Sequence, residues 1–188
     1  MVTQTDPGQQ FVLEGSVEGL AIRDRRQVRT LPVQVVCSNL RRPSRGRALL
    51  ARAIGRTNKT VIDATAGFGH DTFHLASLNR RVTAIERSPV LAELLITALN
   101  QPAAEALRKS IDFICADSRV AIGQLPRPDV IYLAPMFPQR TINSATARKE
   151  ATLLRGLVGD DSDADELWSL ARVHARQRVV VKLSLIHI

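Results

Sequence analysis

The stretch from Val61 to Asp71 constrains the fold more than any other part of this 188-residue chain. It reads Val-Ile-Asp-Ala-Thr-Ala-Gly-Phe-Gly-His-Asp, and it leads from two β-branched residues through a glycine-containing turn into a helix-compatible run. This order predicts a strand over 60–64, a tight loop and a helix over 70–78. Gly67 and Gly69 allow a sharp bend and a close approach to a ligand, because neither carries a Cβ atom. A loop that ends at a helix N-terminus presents free N–H groups, which suits a polar or negatively charged ligand.

Four more apolar segments follow this loop and alternate with helical patterns, which is typical of an α/β fold. The further strands are predicted over 81–85, 111–115, 129–133 and 178–182, and the other helices over 44–54, 89–99, 143–154 and 166–176. Alternating strands and helices favour a mostly parallel sheet with helices on both faces. A ligand binds such a sheet at the carboxyl ends of the strands, so polar residues at those ends are the candidates for a site.

The glycine loop departs from the dinucleotide-binding fingerprint, which is Gly-x-Gly-x-x-Gly. Here Gly67-Phe68-Gly69 is followed by His70-Asp71-Thr72, so the third glycine is missing and a nicotinamide dehydrogenase is disfavoured. Asp63 lies four positions before the first glycine and resembles the acid in the first motif of S-adenosylmethionine-dependent methyltransferases. Carboxylates such as Asp63 and Asp71 can accept hydrogen bonds from the ammonium group of that ligand. The alternative is a strand, turn and helix with a solvated aspartate.

Two later strand ends carry further polar residues. Glu86 follows Gly69 by 17 residues, at the end of the second strand of the predicted parallel sheet. A carboxylate there can accept hydrogen bonds from both hydroxyls of a ribose, and two acids at adjacent strand ends favour a nucleoside ligand. Asp117 and Ser118 follow the next strand, where this pair either contacts an adenine edge or caps the next helix.

The segment from Ala134 to Pro138, Ala-Pro-Met-Phe-Pro, follows the strand predicted over 129–133. Methyltransferases that act on exocyclic amines have an acidic or amide residue, a proline and an aromatic residue at this position. The amine lone pair is delocalised into the ring, so acceptors must hold the NH₂ group for in-line attack while the aromatic side chain stacks on the base. Pro135 and Phe137 fit this arrangement, but the acceptor position is Ala134. A rigid loop is the alternative for the prolines.

The charge of the chain is strongly basic, at +8 with a pI of about 10.7. This balance favours a polyanionic partner, RNA or DNA rather than a membrane. Between residues 21 and 60 a single acid, Asp24, stands against eleven basic residues: Arg23, Arg25, Arg26, Arg29, Arg41, Arg42, Arg45, Arg47, Arg52, Arg56 and Lys59. A basic N-terminal extension over 1–43, with a hairpin over 11–22 and a strand over 31–36, is therefore predicted, and Arg41, Arg42, Arg45 and Arg47 are candidates for RNA contact. A solvated basic face is the alternative.

Other features exclude several classes of protein. Two cysteines, Cys37 and Cys115, make no disulfide framework, which fits a reducing cytoplasm. No apolar run is long enough to span a membrane, and the first residues lack the apolar core of a signal peptide. His70 and His74 are spaced like the histidines of a zinc-protease helix, but no third ligand is identifiable and no metal site is predicted. The acids between 160 and 165 are interpreted as helix caps.

With these segments read, the chain resembles the bacterial 16S rRNA guanine-N2 methyltransferases, which modify a guanine near the 3′ end of the small-subunit RNA. The likeness covers roughly Arg45 to Lys182. The residues that carry it are the segments 63–71, 86–89, 132–138, 149–150, 157–159, 163–165 and 178–182. Met-Phe-Pro after the strand at 129–133 is the most specific of these, whereas the glycine loop alone is not specific.

This resemblance implies a class I, Rossmann-like methyltransferase domain over 44–182 and a basic N-terminal portion that helps to engage the rRNA. It implies contacts with S-adenosylmethionine at His70-Asp71, Glu86-Arg87, Asp117-Ser118 and residue 134. The substrate is expected to be 16S rRNA or the small ribosomal subunit, with Phe137 stacked on a flipped guanine and the Pro135 region aiming its amine. No membrane partner is expected.

Two departures from the family pattern qualify the expected activity. The family has Asp where this chain has Ala134, which removes a cofactor contact and the amine acceptor. After Lys182 the sequence Leu-Ser-Leu-Ile-His-Ile does not match the family, so the closing pair of strands is expected to be missing and 183–188 to be a non-native tail. A non-catalytic RNA-binding protein on a methyltransferase-like scaffold is the main alternative. A DNA amino-methyltransferase is disfavoured because no target-recognition insertion is present.

Overall fold

The computed structural model describes residues 10–16, 19–26, 31–35, 37, 45–135, 145–159 and 162–183. Its strands are β1 (Phe11–Ser16), β2 (Gly19–Asp24), β3 (Val33–Gln34), β4 (Thr60–Asp63), β5 (Arg81–Glu86), β6 (Ile111–Cys115), β7 (Val130–Leu133) and β8 (Arg178–Val181). Its helices are α1 (Arg45–Ile54), α2 (His70–Ser77), α3 (Pro89–Leu99), α4 (Glu105–Arg108), α5 (Ser118–Gln124), α6 (Ala145–Val158) and α7 (Ala164–His174), with a 3₁₀ turn at Pro102–Ala104. None of these helices has the length and apolar character that crossing a bilayer requires.

Strands β4 to β8 form one sheet in the order β6-β5-β4-β7-β8, and every pairing between them is parallel. The central strand β4 pairs with β5 on one side and β7 on the other, with Ile62 beside both Thr83 and Ile131. Parallel sheets are buried on both faces, which explains the continuous apolar runs in β4 and β7. The predicted α/β fold is confirmed.

The two faces of this sheet carry separate apolar clusters. Helices α1, α2 and α3 cover one face, where Leu50, Phe73 and Leu94 pack together. Helices α5 and α7 cover the other face through Ile122 and Leu167. Helices therefore lie on both faces, as the alternation of elements predicts.

A separate antiparallel sheet, β1-β2-β3, forms the N-terminal part of the described chain. The predicted hairpin over 11–22 is present, but β2 continues to Asp24 because Arg23 still pairs with the opposite strand, and its Nε lies 2.6 Å from Oε1 of Glu14. The strand predicted over 31–36 is shorter among its described residues, 31–35, of which Val33 and Gln34 pair with β2.

The N-terminal sheet packs against the α/β unit at two glycines. A Cβ atom at Gly156 of α6 would lie 2.4 Å from Cζ of Phe11, so the bare backbone there makes room for the ring. A Cβ atom at Gly19 would lie 3.5 Å from Cγ2 of Thr97, and β2 runs along α3. The sheet thus contacts α6, which also forms a wall of the cavity described below.

Two helices begin and end elsewhere than predicted. Helix α6 continues to Val158 rather than ending at 154, because Leu153 and Leu157 keep its apolar side against the core. Helix α7 begins at Ala164, two residues before its predicted start, and ends at His174. Helices α4 and α5 are short segments that the sequence patterns do not single out.

Candidate functional site

A cavity of about 240 Å³ lies at the carboxyl edge of the parallel sheet. Segments that follow all five strands contribute to its lining, together with α6 and α7. The predicted site residues that line it are Gly67, His70, Asp71, Glu86, Arg87, Asp117, Ser118, Ala134 and Pro135. The sequence patterns therefore predict the location of the cavity and much of its wall, as expected for an open parallel sheet.

Glu86 fixes the glycine loop from the end of β5. One carboxylate oxygen accepts the Gly67 N–H at 2.8 Å and the other accepts the Ser88 N–H at 2.8 Å. The side chain is 5% exposed, yet it lines the cavity. Glu86 therefore holds the loop in place and also presents a carboxylate, which is a hydrogen-bond acceptor, at the cavity wall.

Asp63 and Gly69 do not line the cavity. Asp63 is 1% exposed and accepts hydrogen bonds from the Thr65 N–H at 3.2 Å and the Thr72 hydroxyl at 2.5 Å. Burial raises the pKa of Asp63 to about 7. The negative charges of Asp71 and Glu86 also raise this pKa, whereas the two hydrogen bonds lower it. The structure therefore places Asp63 behind the loop, which it ties to α2.

Gly69 is required by packing as well as by backbone conformation. Its φ is 74°, and a Cβ atom there would lie 2.3 Å from Cδ2 of Leu95 and 3.0 Å from Cε2 of Phe73. Gly67 also has positive φ, at 54°, but the nearest side chain is Leu154 at 3.7 Å. Gly67 lies on the cavity side of the loop, and the bare Cα of Gly69 accommodates α2 and α3.

Asp71 joins three elements of the site. Its Oδ2 accepts hydrogen bonds from the Tyr132 hydroxyl at 2.6 Å and from Nζ of Lys182 at 2.6 Å. Burial alone would raise the pKa of Asp71, but the Lys182 charge and these two hydrogen bonds outweigh burial and lower it. Burial, reinforced by the Asp71 charge, raises the pKa of Tyr132, so the phenol stays protonated and donates its proton.

Asp117 and Ser118 begin α5, and both line the cavity. The Asp117 carboxylate caps the helix by accepting the Arg119 N–H at 2.9 Å, and it also binds the Arg119 guanidinium at 2.6 Å. Hydrogen bonds from Arg119 lower the pKa of Asp117. Ser118 donates its hydroxyl to the Ala64 carbonyl at 2.7 Å. Of the two roles that the sequence allowed for this pair, the helix cap is present, and Asp117 also lies at the cavity wall.

A network of charged side chains closes one side of the cavity. Asp163 stands at the N-cap of α7, but its carboxylate makes no capping hydrogen bond there. It accepts instead from Nη1 of Arg87 at 2.9 Å and lies 3.5 Å from Nε of Arg119. Arg119 also binds Glu166 at 2.9 Å. Asp163 thus occupies the predicted cap position, but its carboxylate binds two arginines instead of the helix backbone. Asp160 and Asp161 lie outside the described residues.

The two histidines of α2 have different partners. Nε2 of His70 lies 3.0 Å from Oε2 of Glu150 on α6, and both residues line the cavity. Nε2 of His74 is 3.0 Å from the carbonyl oxygen of Arg47. Within the described ranges, no cluster of three or more His, Cys, Asp or Glu side chains could hold a metal ion.

Ala134 begins the segment that follows β7. Its N–H donates to Oγ1 of Thr65 at 2.7 Å, which couples this segment to the glycine loop. Ala134 and Pro135 line the cavity, and the alanine methyl group offers no hydrogen-bond acceptor. Met136, Phe137 and Pro138 lie outside the described residues, so the proposed stacking aromatic residue remains a prediction.

Two of the predicted RNA-contacting arginines, Arg45 and Arg47, lie within the described residues. Arg45 is exposed and Arg47 is half-buried, both on α1, and neither lines the cavity. Arg41 and Arg42 lie outside the described residues. Their role in RNA binding remains a prediction.

Five polar residues of the cavity wall were not predicted as site residues from the sequence: Thr65, Arg119, Glu150, Asp163 and Lys182. Lys182 follows β8 directly, so extending the strand-end rule to the last strand would have found it. Arg119 and Glu150 carry no comparable signal, because they reach the cavity from the first turn of α5 and the middle of α6.

Carboxylates and basic groups from separate strand ends thus face one nucleoside-sized pocket. The family described as "Putative SAM-dependent methyltransferase" matches residues 1–184. The chain belongs to this family. S-adenosylmethionine is the family's cofactor, and the cavity suits its groups. Carboxylates at Asp71, Glu86 and Asp117 offer acceptors for an ammonium group, ribose hydroxyls and an adenine amine, while Arg87 and Lys182 carry positive charge that complements a carboxylate.

Curated relatives of this chain include proteins named as small-subunit rRNA methyltransferases. It is 46% identical over 143 residues to Ribosomal RNA small subunit methyltransferase J of Thioalkalivibrio sulfidiphilus, covering 71% of this chain and 56% of the relative. It is 44% identical over 147 residues to the protein of the same name from Escherichia coli O1:K1, covering 73% and 58%. The chain thus spans less than two thirds of the length of these curated relatives.

A solved structure supports the fold of this methyltransferase chain. The SAM-dependent methyltransferase from Neisseria gonorrhoeae superposes with a TM-score of 0.73 at 30% sequence identity, covering 95% of this chain and 73% of that protein. The class I, Rossmann-like assignment made from the sequence is confirmed. The resemblance to the small-subunit rRNA methyltransferases is confirmed as a family relationship.

Proposed function

We propose that this chain is an S-adenosylmethionine-dependent methyltransferase that modifies the exocyclic N2 of a guanine in 16S rRNA. The observation that carries the proposal is the cavity at the carboxyl edge of the sheet, where Glu86, Asp117 and Asp71 come together. The names of the curated relatives support an rRNA substrate, and the basic charge of the chain suits a polyanion. The cytoplasm, where ribosomes are assembled, is the proposed location.

Within this proposal, the residues of the cavity hold the cofactor by its separate polar groups. The Glu86 carboxylate would accept hydrogen bonds from the ribose hydroxyls, while its hydrogen bonds to the backbone keep Gly67 in place. Asp117 and Ser118 would contact the adenine edge, and His70 and Asp71 would contact the ammonium end. When bound there, S-adenosylmethionine would supply an electrophilic methyl group, with its sulfur as the leaving group, and the guanine N2 that accepts the methyl group would lose its proton to solvent.

The protein's contribution to the reaction is to position the guanine amine. Pro135 aims the segment after β7 at the cavity, and Phe137 stacks on the flipped base. No strong general base is needed, because the proton leaves only after N2 has become cationic. The segment 44–182 carries this reaction. The basic extension over 1–43 engages the rRNA together with the first residues of the next segment, through Arg41, Arg42, Arg45 and Arg47.

Ala134 limits the rate in this proposal. A carboxylate at this position would accept a hydrogen bond from the guanine amine, and loss of one such transition-state contact costs about 10²–10³-fold in rate. Ala134→Asp is therefore expected to raise methyl transfer by up to about this factor. Ala134→Val, which adds bulk without an acceptor, is the matched control and is expected to give no gain.

The test is transfer of a labelled methyl group to small ribosomal subunits that lack base methylation. The Escherichia coli relative serves as a positive control for the substrate. Label recovered as N2-methylguanine with this chain, or with its Ala134→Asp variant alone, would support the proposal. No label from either protein, while the relative labels the subunits and this chain still binds S-adenosylmethionine, would refute it and favour the non-catalytic RNA-binding alternative.

A further inference from the structure

A second groove, of about 540 Å³, lies at the opposite edge of the parallel sheet, where the strands begin. Three arginines line it: Arg81 at the start of β5, Arg127 in the loop before β7, and Arg176 before β8. Thr83 and Ile114 contribute side chains from the sheet itself. The groove therefore combines a cationic rim with a partly apolar floor.

The groove exists because α5 is too short to cover this end of the sheet. The helix spans only Ser118–Gln124, and the chain then continues through Pro126 and Pro128, which cannot continue a helix. Thr83 and Ile114 are left half-buried on the face that α5 and α7 cover elsewhere. The same face is closed near the cofactor cavity, so the opening is confined to the edge where the strands start.

The cationic rim is positioned by the protein's own contacts. Arg127 donates from Nε and Nη2 to the carbonyl oxygens of His174 and Val173, at 3.0 and 2.9 Å, which anchors its guanidinium at the C-terminal end of α7. The Arg81 side chain is 74% exposed, and its Nε lies 3.7 Å from Oδ2 of Asp112, which is too long for a hydrogen bond and makes a weak, solvent-exposed ion pair. These guanidiniums are thus available to an anion from solvent.

The second acid at this edge is already engaged with the backbone. Asp129 accepts the N–H groups of Lys59 and Thr60 at 2.7 and 3.0 Å. These hydrogen bonds lower its pKa, and the charge of Arg176 acts in the same direction. Asp112 is therefore the acid that most directly opposes an anion in the groove, since it lines the groove beside Arg81.

We propose that this groove binds the sugar–phosphate backbone of RNA, as a contact surface separate from the cofactor cavity. Guanidinium groups pair with phosphate oxygens through two parallel hydrogen bonds, and the apolar floor suits the face of a ribose or base. The groove lies about 17 Å from the cavity, because β5 runs from Arg81 to Glu86 at about 3.3 Å per residue. It therefore holds nucleotides other than the one that reacts. The inference rests on the proposed RNA substrate.

The test measures binding of a short, fluorescently labelled single-stranded RNA to the 188-residue chain by anisotropy, at several salt concentrations. The groove variant is Arg81→Gln with Arg176→Gln, which leaves the Arg127 contacts to α7 intact. The matched control is Arg108→Gln with Lys109→Gln, the same loss of charge at exposed positions at the end of α4, which packs on the other face of the sheet. Melting curves check that both variants fold.

Each phosphate contact with single-stranded RNA contributes about 0.7 to the steepness of log K against log salt. The groove variant lacks two arginines, so its plot is expected to be less steep by about 1.4. If the two proteins bind equally well at about 1 M salt, the groove variant is expected to bind about 25-fold more weakly than the wild type at about 0.1 M salt. Asp112→Asn, which removes the opposing acid, is expected to tighten binding. A melting curve of this variant checks that its fold is unchanged.

Equal losses in the groove and control variants would overturn the inference, since net charge alone would then explain binding. Equally tight, groove-dependent binding of inorganic polyphosphate would overturn the assignment to RNA. Methyl transfer is measured separately on the same proteins. Groove-dependent RNA binding without methyl transfer, even from the Ala134→Asp variant, would sustain this inference and refute the proposed enzyme. Methyl transfer with groove-independent binding would do the reverse.

Discussion

Replacing Asp63 by Asn should change how the stability of this protein depends on pH. Asp63 is buried, and its folded-state pKa of about 7 lies about three units above the ordinary value of 3.8. The folded state therefore binds the Asp63 proton more tightly than the unfolded state does. Stability from this group is fully present below about pH 4 and is lost as the pH rises through about 7. Three units at 1.36 kcal/mol each amount to about 4 kcal/mol.

An asparagine side chain does not ionise, so the variant lacks this dependence. The difference in free energy of unfolding, wild type minus Asp63→Asn, should fall by about 3 kcal/mol between pH 5 and pH 8. Urea titrations across that range measure it directly. Asp112→Asn, which removes an exposed carboxylate, is the control. A constant difference for Asp63→Asn across the range would refute the argument, because the carboxylate would then ionise at its ordinary pKa within the fold.

Three further changes test the site. Gly69→Ala should destabilise the fold by about 2–4 kcal/mol through positive φ and contact with Leu95, whereas Gly123→Ala, with open space around it, should not; chemical denaturation compares them. Glu86→Gln keeps one acceptor for two backbone N–H groups and should cost about 1–3 kcal/mol in stability. Adding S-adenosylmethionine should raise the melting temperature of this variant less than that of the wild type, and an equal rise would remove Glu86 from the proposed site. Lys182→Met should raise the pKa of Asp71 and move the acid-unfolding midpoint to higher pH; an unmoved midpoint would count against the ion pair.

The N-terminal sheet and the cofactor cavity share α6. Phe11 of β1 packs against Gly156, while Glu150 and Leu154 of the same helix line the cavity. The helix also follows the segment that carries Phe137 in the chain. In the proposed function, the extension that binds RNA therefore packs against a helix that lines the reaction site.

The architecture was predictable because its signals are local. A strand, a glycine turn and a helix are specified by the residues that form them, and apolar periodicity recurs from Val61 to Val181. The strand-end rule then places Glu86 and Asp117 at one edge without any knowledge of packing. Helix ends were less predictable, as α6 and α7 show, because the last turn depends on what a helix packs against.

Side-chain roles were decided by the tertiary structure. The sequence places Asp63 beside a ligand loop, but sheet register turns its carboxylate under the loop toward Thr65 and Thr72. Lys182 and Asp71 are 111 residues apart, and no local sequence pattern predicts their contact. Amino-acid sequence alone therefore determined the parallel sheet, its ligand edge and the family. Only the folded arrangement decided which polar atoms face the cavity, because a charged group takes its partner from whichever element packs beside it.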